Sequence, residues 1–219
     1  MLQEKTVAQL VKEYIMSEVY IYEVLKKGII NYSQLAKLIA SEYNLDSIAA
    51  IKMAVKRFAD SELKQEDKQD TSMIWSVLSR AKVTIKGDVS ILVVEPTPEA
   101  FVKVNEIEKL VKIQLGETLY IIREQTAIVV IIEKDKRDLA LTLLEGSEII
   151  RKKENATALV VISPPDIVST SGVLNLIVSQ FAMNKINIEE IISCYRDTII
   201  IVDEKDSTKG YQIVKNLTM

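Results

Sequence analysis

A loop of polar and small residues, Ser163-Pro164-Pro165-Asp166-Ile167-Val168-Ser169-Thr170-Ser171-Gly172, carries the chain's most promising side chains for function. It follows an apolar run, Ala158-Leu159-Val160-Val161-Ile162. It leads into a helical pattern with Val173, Leu174, Ile177, Val178, Phe181 and Ala182 at three- and four-residue spacing. The start of such a helix leaves backbone N–H groups without intrahelical partners, beside a turn flexible enough to approach a ligand. The chemistry on offer is therefore recognition rather than bond-making. A plain helix cap by Thr170 or Ser171, with no ligand at all, explains the same residue types.

Catalytic alternatives are few. The chain has no histidine, so there is no Ser-His or Cys-His nucleophile pair, no imidazole base and no zinc set built on His. Its single cysteine, Cys194, makes neither an intrachain disulfide nor a thiolate metal site. Six glycines are spread through 219 residues without a Gly-x-Gly-x-x-Gly or Gly-Lys-Ser/Thr phosphate loop. Carboxylate or lysine chemistry is framed by nothing, so the expectation is a non-enzyme with no cofactor and no metal. Hydrophobic content of 48% with 27% charge describes a protein with a packed core, and a net charge of −3 argues against general nucleic-acid affinity. No uncharged apolar run approaches the ~20 residues a bilayer needs, and no signal peptide opens the chain. A cytoplasmic protein without membrane contact is expected.

The elements that position the loop come in two kinds. Residues 1 to about 80 read as helices. Val7, Leu10, Val11, Tyr14 and Ile15 share a face that Val19, Ile21, Tyr22, Val24 and Leu25 continue toward Lys26-Lys27-Gly28, a sound helix end. Ser33 is the expected cap of a helix carrying Leu35, Ala36, Leu38, Ile39 and Tyr43. Asp46 or Ser47 caps the next, with Ile48, Ile51, Val55 and Phe58 inward. Lys52, Lys56 and Arg57 take the remaining surface, where they could meet phosphates. The stretch Ile30-Asn31-Tyr32-Ser33-Gln34-Leu35-Ala36-Lys37-Leu38-Ile39-Ala40 resembles the helix-turn-helix entry of many winged-helix regulators. Residues 1–64 carry nine Lys and Arg against eight Asp and Glu, less basic than DNA-binding heads usually are, so a docking or dimerisation module stays open beside DNA binding. Glu62 to Asp70 is a charged run, either helix end or linker. Thr71 or Ser72 then caps a last helix with Ile74, Trp75, Val77 and Leu78, and the lone Trp75 is expected in the core.

From Lys82 the pattern changes to short strands with helices between them. Val83-Thr84-Ile85 and Val89 to Val94 read as two strands, and Pro96-Thr97-Pro98-Glu99 caps a helix with Phe101, Val104, Ile107, Leu110 and Val111. Leu119 to Arg123 and Ala127 to Ile132 form a hairpin through Glu124-Gln125-Thr126. Leu139 to Leu144 is helical, and Ile149-Ile150 sits in a short strand. After the loop, Ile188 to Cys194 and Thr198 to Val202 are strands, and a helix starts near Asp206. The same order thus occurs twice, a repeat of ~70 residues.

Leu159-Val160-Val161-Ile162, Ser171-Gly172-Val173 and Asn184-Lys185-Ile186-Asn187-Ile188-Glu189-Glu190-Ile191-Ile192 together resemble an ACT domain, and more narrowly the regulatory tandem of aspartate kinases. Ser171 stands where that family has proline and Lys185 where it usually has glycine. The likeness covers Lys82 to about Leu217, without a kinase domain. It implies an α+β fold: an all-helical, helix-turn-helix-like domain over 1–80, then two ferredoxin-like βαββαβ ACT units. The first unit, 87–153, would be inserted into the second, 82–86 plus 154–219, so that Val83-Thr84-Ile85 completes the C-terminal sheet. In that family amino acids bind at ACT–ACT interfaces, gripped by the first loop and the following helix start. Carried over, the ligand residues are Asp166, Ile167, Val168, Ser169, Thr170, Ser171, Gly172 and Val173, with Asn187 and Ile188 entering the second strand. A helix N-terminus suits the ligand's carboxylate and a side-chain carboxylate its ammonium. The first unit's Pro96-Thr97-Pro98-Glu99-Ala100 lacks glycine, so no ligand is expected there. The function implied is a non-catalytic amino-acid or small-metabolite sensor, a homodimer through its ACT units. Its head would make it a ligand-responsive transcription regulator or an accessory subunit of a separate biosynthetic enzyme. A structural tandem with no ligand is the remaining alternative.

Overall fold

The computed structural model describes residues 5–61 and 69–219, and the chain divides into two compact units, Met1–Ser72 and Met73–Met219. The first contains α1 (Val7–Ser17), α2 (Val19–Lys26), α3 (Tyr32–Tyr43) and α4 (Ile48–Ser61). Thr6 opens α1 with a reciprocal cap: its side chain accepts from the Gln9 N–H while the Gln9 side chain accepts from the Thr6 N–H. The apolar spacing that reads as one run from Val7 to Leu25 breaks at Glu18, whose φ of −104° and ψ of 86° lie outside the helical region. The break lets Leu25 join Val11 and Ile15 in one core with Leu35, Ala36, Ile39, Ile51, Val55 and Phe58.

Asn31, not Ser33, caps α3, accepting from the N–H groups of Ser33 and Gln34. Asparagine caps as well as serine, and here it stands at the extended residue just ahead of the first turn. Asn44 closes α3 in the left-handed region (φ 51°), and Ser47 Oγ accepts from the Ala50 N–H at the start of α4. Ile48, expected inward, is exposed: it shares the face of Ile51, Val55 and Phe58 but is the first residue of α4. Lys52, Lys56 and Arg57 are exposed on α4. Most of the charged run from Glu62 to Asp70 lies outside the described residues. α5 (Gln69–Leu78) is already helical at Thr71 and Ser72, so neither is its cap.

The second unit is an antiparallel sheet carrying helices. Its elements after α5 are β1 (Lys82–Val94), α6 (Pro98–Leu110), β2 (Leu119–Arg123), β3 (Ile128–Glu133), α7 (Lys134–Leu143) and β4 (Ile149–Ile162). Then come α8 (Val173–Met183), β5 (Glu190–Cys194), β6 (Asp197–Asp203) and α9 (Ser207–Leu217). The strands run in the order β2-β3-β1-β4-β6-β5. Where two short strands are expected on each side, β1 and β4 are continuous and pair along their whole length. Lys82–Lys86 face Ala158–Ile162, and Val89–Val94 face Ala156–Ile149, with register shifts between. Gly87-Asp88 does not reverse the chain. Asp88 (φ 54°) and Asn155 (φ 56°) take left-handed backbone within the strands, a bulge that bends each and divides it into two halves. Val83, Thr84 and Ile85 are thus hydrogen-bonded neighbours of Val161, Val160 and Leu159.

Each half buries its helix-facing side chains in its own core. In the first, Leu92, Val94, Ile128, Val130 and Ile132 meet Ala100, Val104 and Ile107 of α6 and Ala140 of α7. In the second, Leu159, Val161, Ile200 and Val202 meet Val173, Ile177 and Phe181 of α8, Val214 of α9, and Val77 and Leu78 of α5. The alternate residues, Val89, Ile91, Ile131, Ala158, Val160, Ile199 and Ile201, form a further core drawn from both halves. Tyr120 on β2 has its hydroxyl pKa raised, first by burial and then by the carboxylate of Asp197 on β6. Across a flat sheet these strands would be four spacings apart, roughly 19 Å. Val89, Ile91, Ile131, Ala158 and Ile201 of both halves are fully buried in one core that no helix among the described residues enters, so the sheet folds with its helix-free faces together and the helices outside. Trp75, expected in the core, is 46% exposed: α5 buries Val77 and Leu78, and residue 75 falls on the flank of that face.

Candidate functional site

The loop from Ser163 to Gly172 leaves the end of β4 and makes a short 3₁₀ turn over Pro165–Ser169 before α8. The Ser163 hydroxyl is fully buried at its foot and has no hydrogen-bond partner among the described residues. Thr170 Oγ1 (2.7 Å) and Ser169 Oγ (3.2 Å) both donate to the Asp166 carbonyl, which folds the loop on itself. Neither Thr170 nor Ser171 caps α8. The N-cap is Gly172, in the left-handed region at φ 85°, with no side-chain hydrogen bond to the first turn. By contrast α6, at the matching place in the first half, is capped by Thr97, whose Oγ1 accepts from the Ala100 N–H at 3.1 Å.

Of the ten ligand residues expected from sequence, Asp166, Val168, Ser169, Ser171, Gly172 and Asn187 are exposed, Ile167, Thr170 and Ile188 half-buried, and Val173 buried under the loop. Ile167, Val173 and Ile188 share the second core, which brings the loop and the approach to β5 onto one side of the half-sheet. Asn187 and Ile188 precede β5, which begins at Glu190 rather than Ile188.

Two partners of this loop are absent from the sequence reading. Arg80, just past α5, reaches the Asp166 carboxylate with its guanidinium at 2.5 Å. Ile74 of α5 lies so close to Gly172 that a methyl group there would come within 2.9 Å of Ile74 Cδ1. Arg80 lies 86 positions before its partner, and Ile74 comes from the same distant helix, so no local pattern signals either contact. A further cleft also went unread, an open one of about 420 Å³ lined by Pro96, Phe101, Arg123, Glu124 and Gln125. It sits where the first half's loop meets its hairpin.

The strand-to-helix junctions at the opposite end of each half-sheet are tied by ion pairs. The Lys153 ammonium bonds the Asp203 carboxylate, and Lys136 meets Glu117 at 2.7 Å. Both carboxyls are held below their ordinary pKa by the lysine hydrogen bond first and a backbone N–H second. A depressed carboxyl contributes stability fully above its unfolded pKa and loses it as pH falls through the folded one. Thermal melts between about pH 5 and pH 2.5 should therefore fall more steeply for the wild-type chain than for Asp203→Asn/Glu117→Gln. Parallel curves would show that these pairs do not matter.

No protein-family model matches the sequence, and no curated protein matches it. Solved structures do match. The regulatory subunit of aspartate kinase from Thermus flavus superposes with a TM-score of 0.51 at 18% identity, over 63% of this chain and 97% of that one. It shares that subunit's fold. The ligand-free regulatory subunit from Thermus thermophilus gives 0.50 at 19%, over 62% and 95%. The Clostridium acetobutylicum aspartate kinase gives 0.52 at 15%, over 63% of this chain and 34% of that enzyme. The aspartate kinase regulatory fold accounts for the C-terminal part of the chain and not for α1 to α4. It is an α+β, ACT-like ferredoxin arrangement. No helix among the described residues is long and apolar enough to cross a membrane.

Proposed function

We propose that the chain is a non-catalytic regulatory protein that senses an amino acid or similar small metabolite. Its two ACT units would be nested, residues 87–153 lying within a unit made of 82–86 plus 154–219. The observation that carries the reading is the near-complete superposition on aspartate kinase regulatory subunits, 97% of the Thermus flavus chain. The antiparallel pairing of Lys82–Lys86 with Ala158–Ile162 supports the nesting. The ligand loop is Asp166–Val173 with Asn187 and Ile188. The uncapped first turn of α8 would take a carboxylate, and Asp166 an ammonium. Dimerisation through the ACT units is part of the proposal, since such assemblies are commonly two-fold.

The test is thermal denaturation with each of the twenty amino acids. A binder at a hundred times its Kd adds about 2.7 kcal/mol, a shift of several degrees for a chain of this size. If none of the twenty moves the transition, amino-acid sensing is wrong.

For the head the reading is DNA contact by the exposed Lys52, Lys56 and Arg57. Low-salt gel shifts should show retardation that weakens with added salt and disappears in the triple alanine variant. The exposed Met53 and Ile48 on the same helix favour a second reading, docking to a separate enzyme, for which no retardation and a co-purifying enzyme are expected.

A further inference from the structure

Both parts of the second half's candidate ligand loop are in contact with α5 or the turn just after it. Ile74 packs against Gly172 at the start of α8, beside the first-turn N–H groups that would take a carboxylate. Arg80 holds the Asp166 carboxylate at 2.5 Å, the group assigned to a ligand's ammonium. Between them Val77 and Leu78 are buried with Val173, Ile177 and Phe181, so this turn of α5 is docked on the same core that seats the loop. The anchoring is uneven. Val77 and Leu78 are buried, whereas Ile74 is half-buried and the Arg80–Asp166 pair is about half exposed on both sides. The contacts at the loop are thus the weakly held ones, and exposed ion pairs of this kind are worth little.

From this geometry we propose that the site is self-capped: Ile74 and Arg80 compete with the amino acid for the loop, and binding lifts them from Gly172 and Asp166. The inference rests on the sensing role above and names how that site is regulated. Ligand and α5 contact exclude one another, so a closed cap weakens ligand binding and bound ligand in turn opens the cap. Apparent affinity is reduced by the fraction of molecules in which the cap is closed.

The experiment compares the wild-type chain with Ile74→Ala/Arg80→Gln, titrating the amino acid that stabilises most among the twenty. Trp75, the chain's only tryptophan and the neighbour of Ile74, reports on α5 through its fluorescence. Removing the competitor should tighten Kd about tenfold. Ligand should change Trp75 emission in the wild-type chain and leave the variant's emission nearly unchanged. Arg80→Gln alone alters only an exposed side chain; it should tighten Kd about threefold and serves if the double variant fails to fold. Equal affinity overturns self-capping while leaving the sensor role standing. Weaker binding overturns it too, by making Arg80 part of the ligand's grip. Absence of binding in both proteins removes the sensor role itself.

Discussion

Replacing Ile131 with aspartate should unfold the sheet unit at room temperature. Ile131 is fully buried, and its ladder neighbours are Ile91 on β1 and Tyr120 on β2. It belongs to the core made by the helix-free faces of both halves, with Ala158, Val160, Ile199 and Ile201 from the other half. Emptying such a site costs about 2–5 kcal/mol, and an unpaired carboxylate in it costs several more. Together these approach the whole stability of a typical domain. Near-ultraviolet circular dichroism and a urea titration would read the loss, with Ile131→Ala as the milder comparison. If the sheet were flat, with that face in water, Ile131→Asp would be tolerated within about 0.5 kcal/mol.

The second large effect is expected at Phe181. Its ring is fully buried between α8 and α9, 3.3 Å from where a methyl on Gly210 would sit; that methyl would also come within 2.9 Å of Leu159 Cδ1. Gly210 is thus in α9 so that the helix can lie against β4 and the ring. Phe181→Ala should cost about 3–5 kcal/mol, lowering the melting temperature of the sheet unit by roughly 10 °C or more. Gly210→Ala should destabilise the wild-type chain despite alanine's better helix propensity. It should destabilise less in the Phe181→Ala background, because part of the crowding is gone. Additive losses in this cycle would contradict the packing described.

Much of the sheet unit could be read from residue patterns because its rules are local. The hairpin through Glu124-Gln125-Thr126 and the Thr97 cap appear where the sequence puts them. Lys185, standing where the resembling family has glycine, takes φ 58° just past α8, with the Ile186 N–H donating to the Phe181 carbonyl. That left-handed helix end explains why glycine suits the position. What could not be read depends on distant contacts or on near-equal local choices. Asn31 and Ser33 are comparable caps two residues apart, and only the chain's path decides between them. Gly87-Asp88 carries the signature of a turn, yet pairing with β4 on one side and β3 on the other makes it a bulge. Trp75 looks like core by size alone, but the buried face of α5 falls on Val77 and Leu78. At the candidate site, the loop and its left-handed glycine were visible in the sequence. Ile74 and Arg80, brought to it by the docking of α5, were not.

Backbone amide chemical shifts, followed by NMR while the stabilising amino acid is titrated, locate the bound amino acid residue by residue. Saturable changes centred on Asp166–Val173, Asn187 and Ile188, and extending to Ile74 and Arg80, are expected for a sensor that binds through this loop. Changes confined to the cleft of Pro96, Phe101 and Arg123, or no change with any of the twenty amino acids, would contradict this reading.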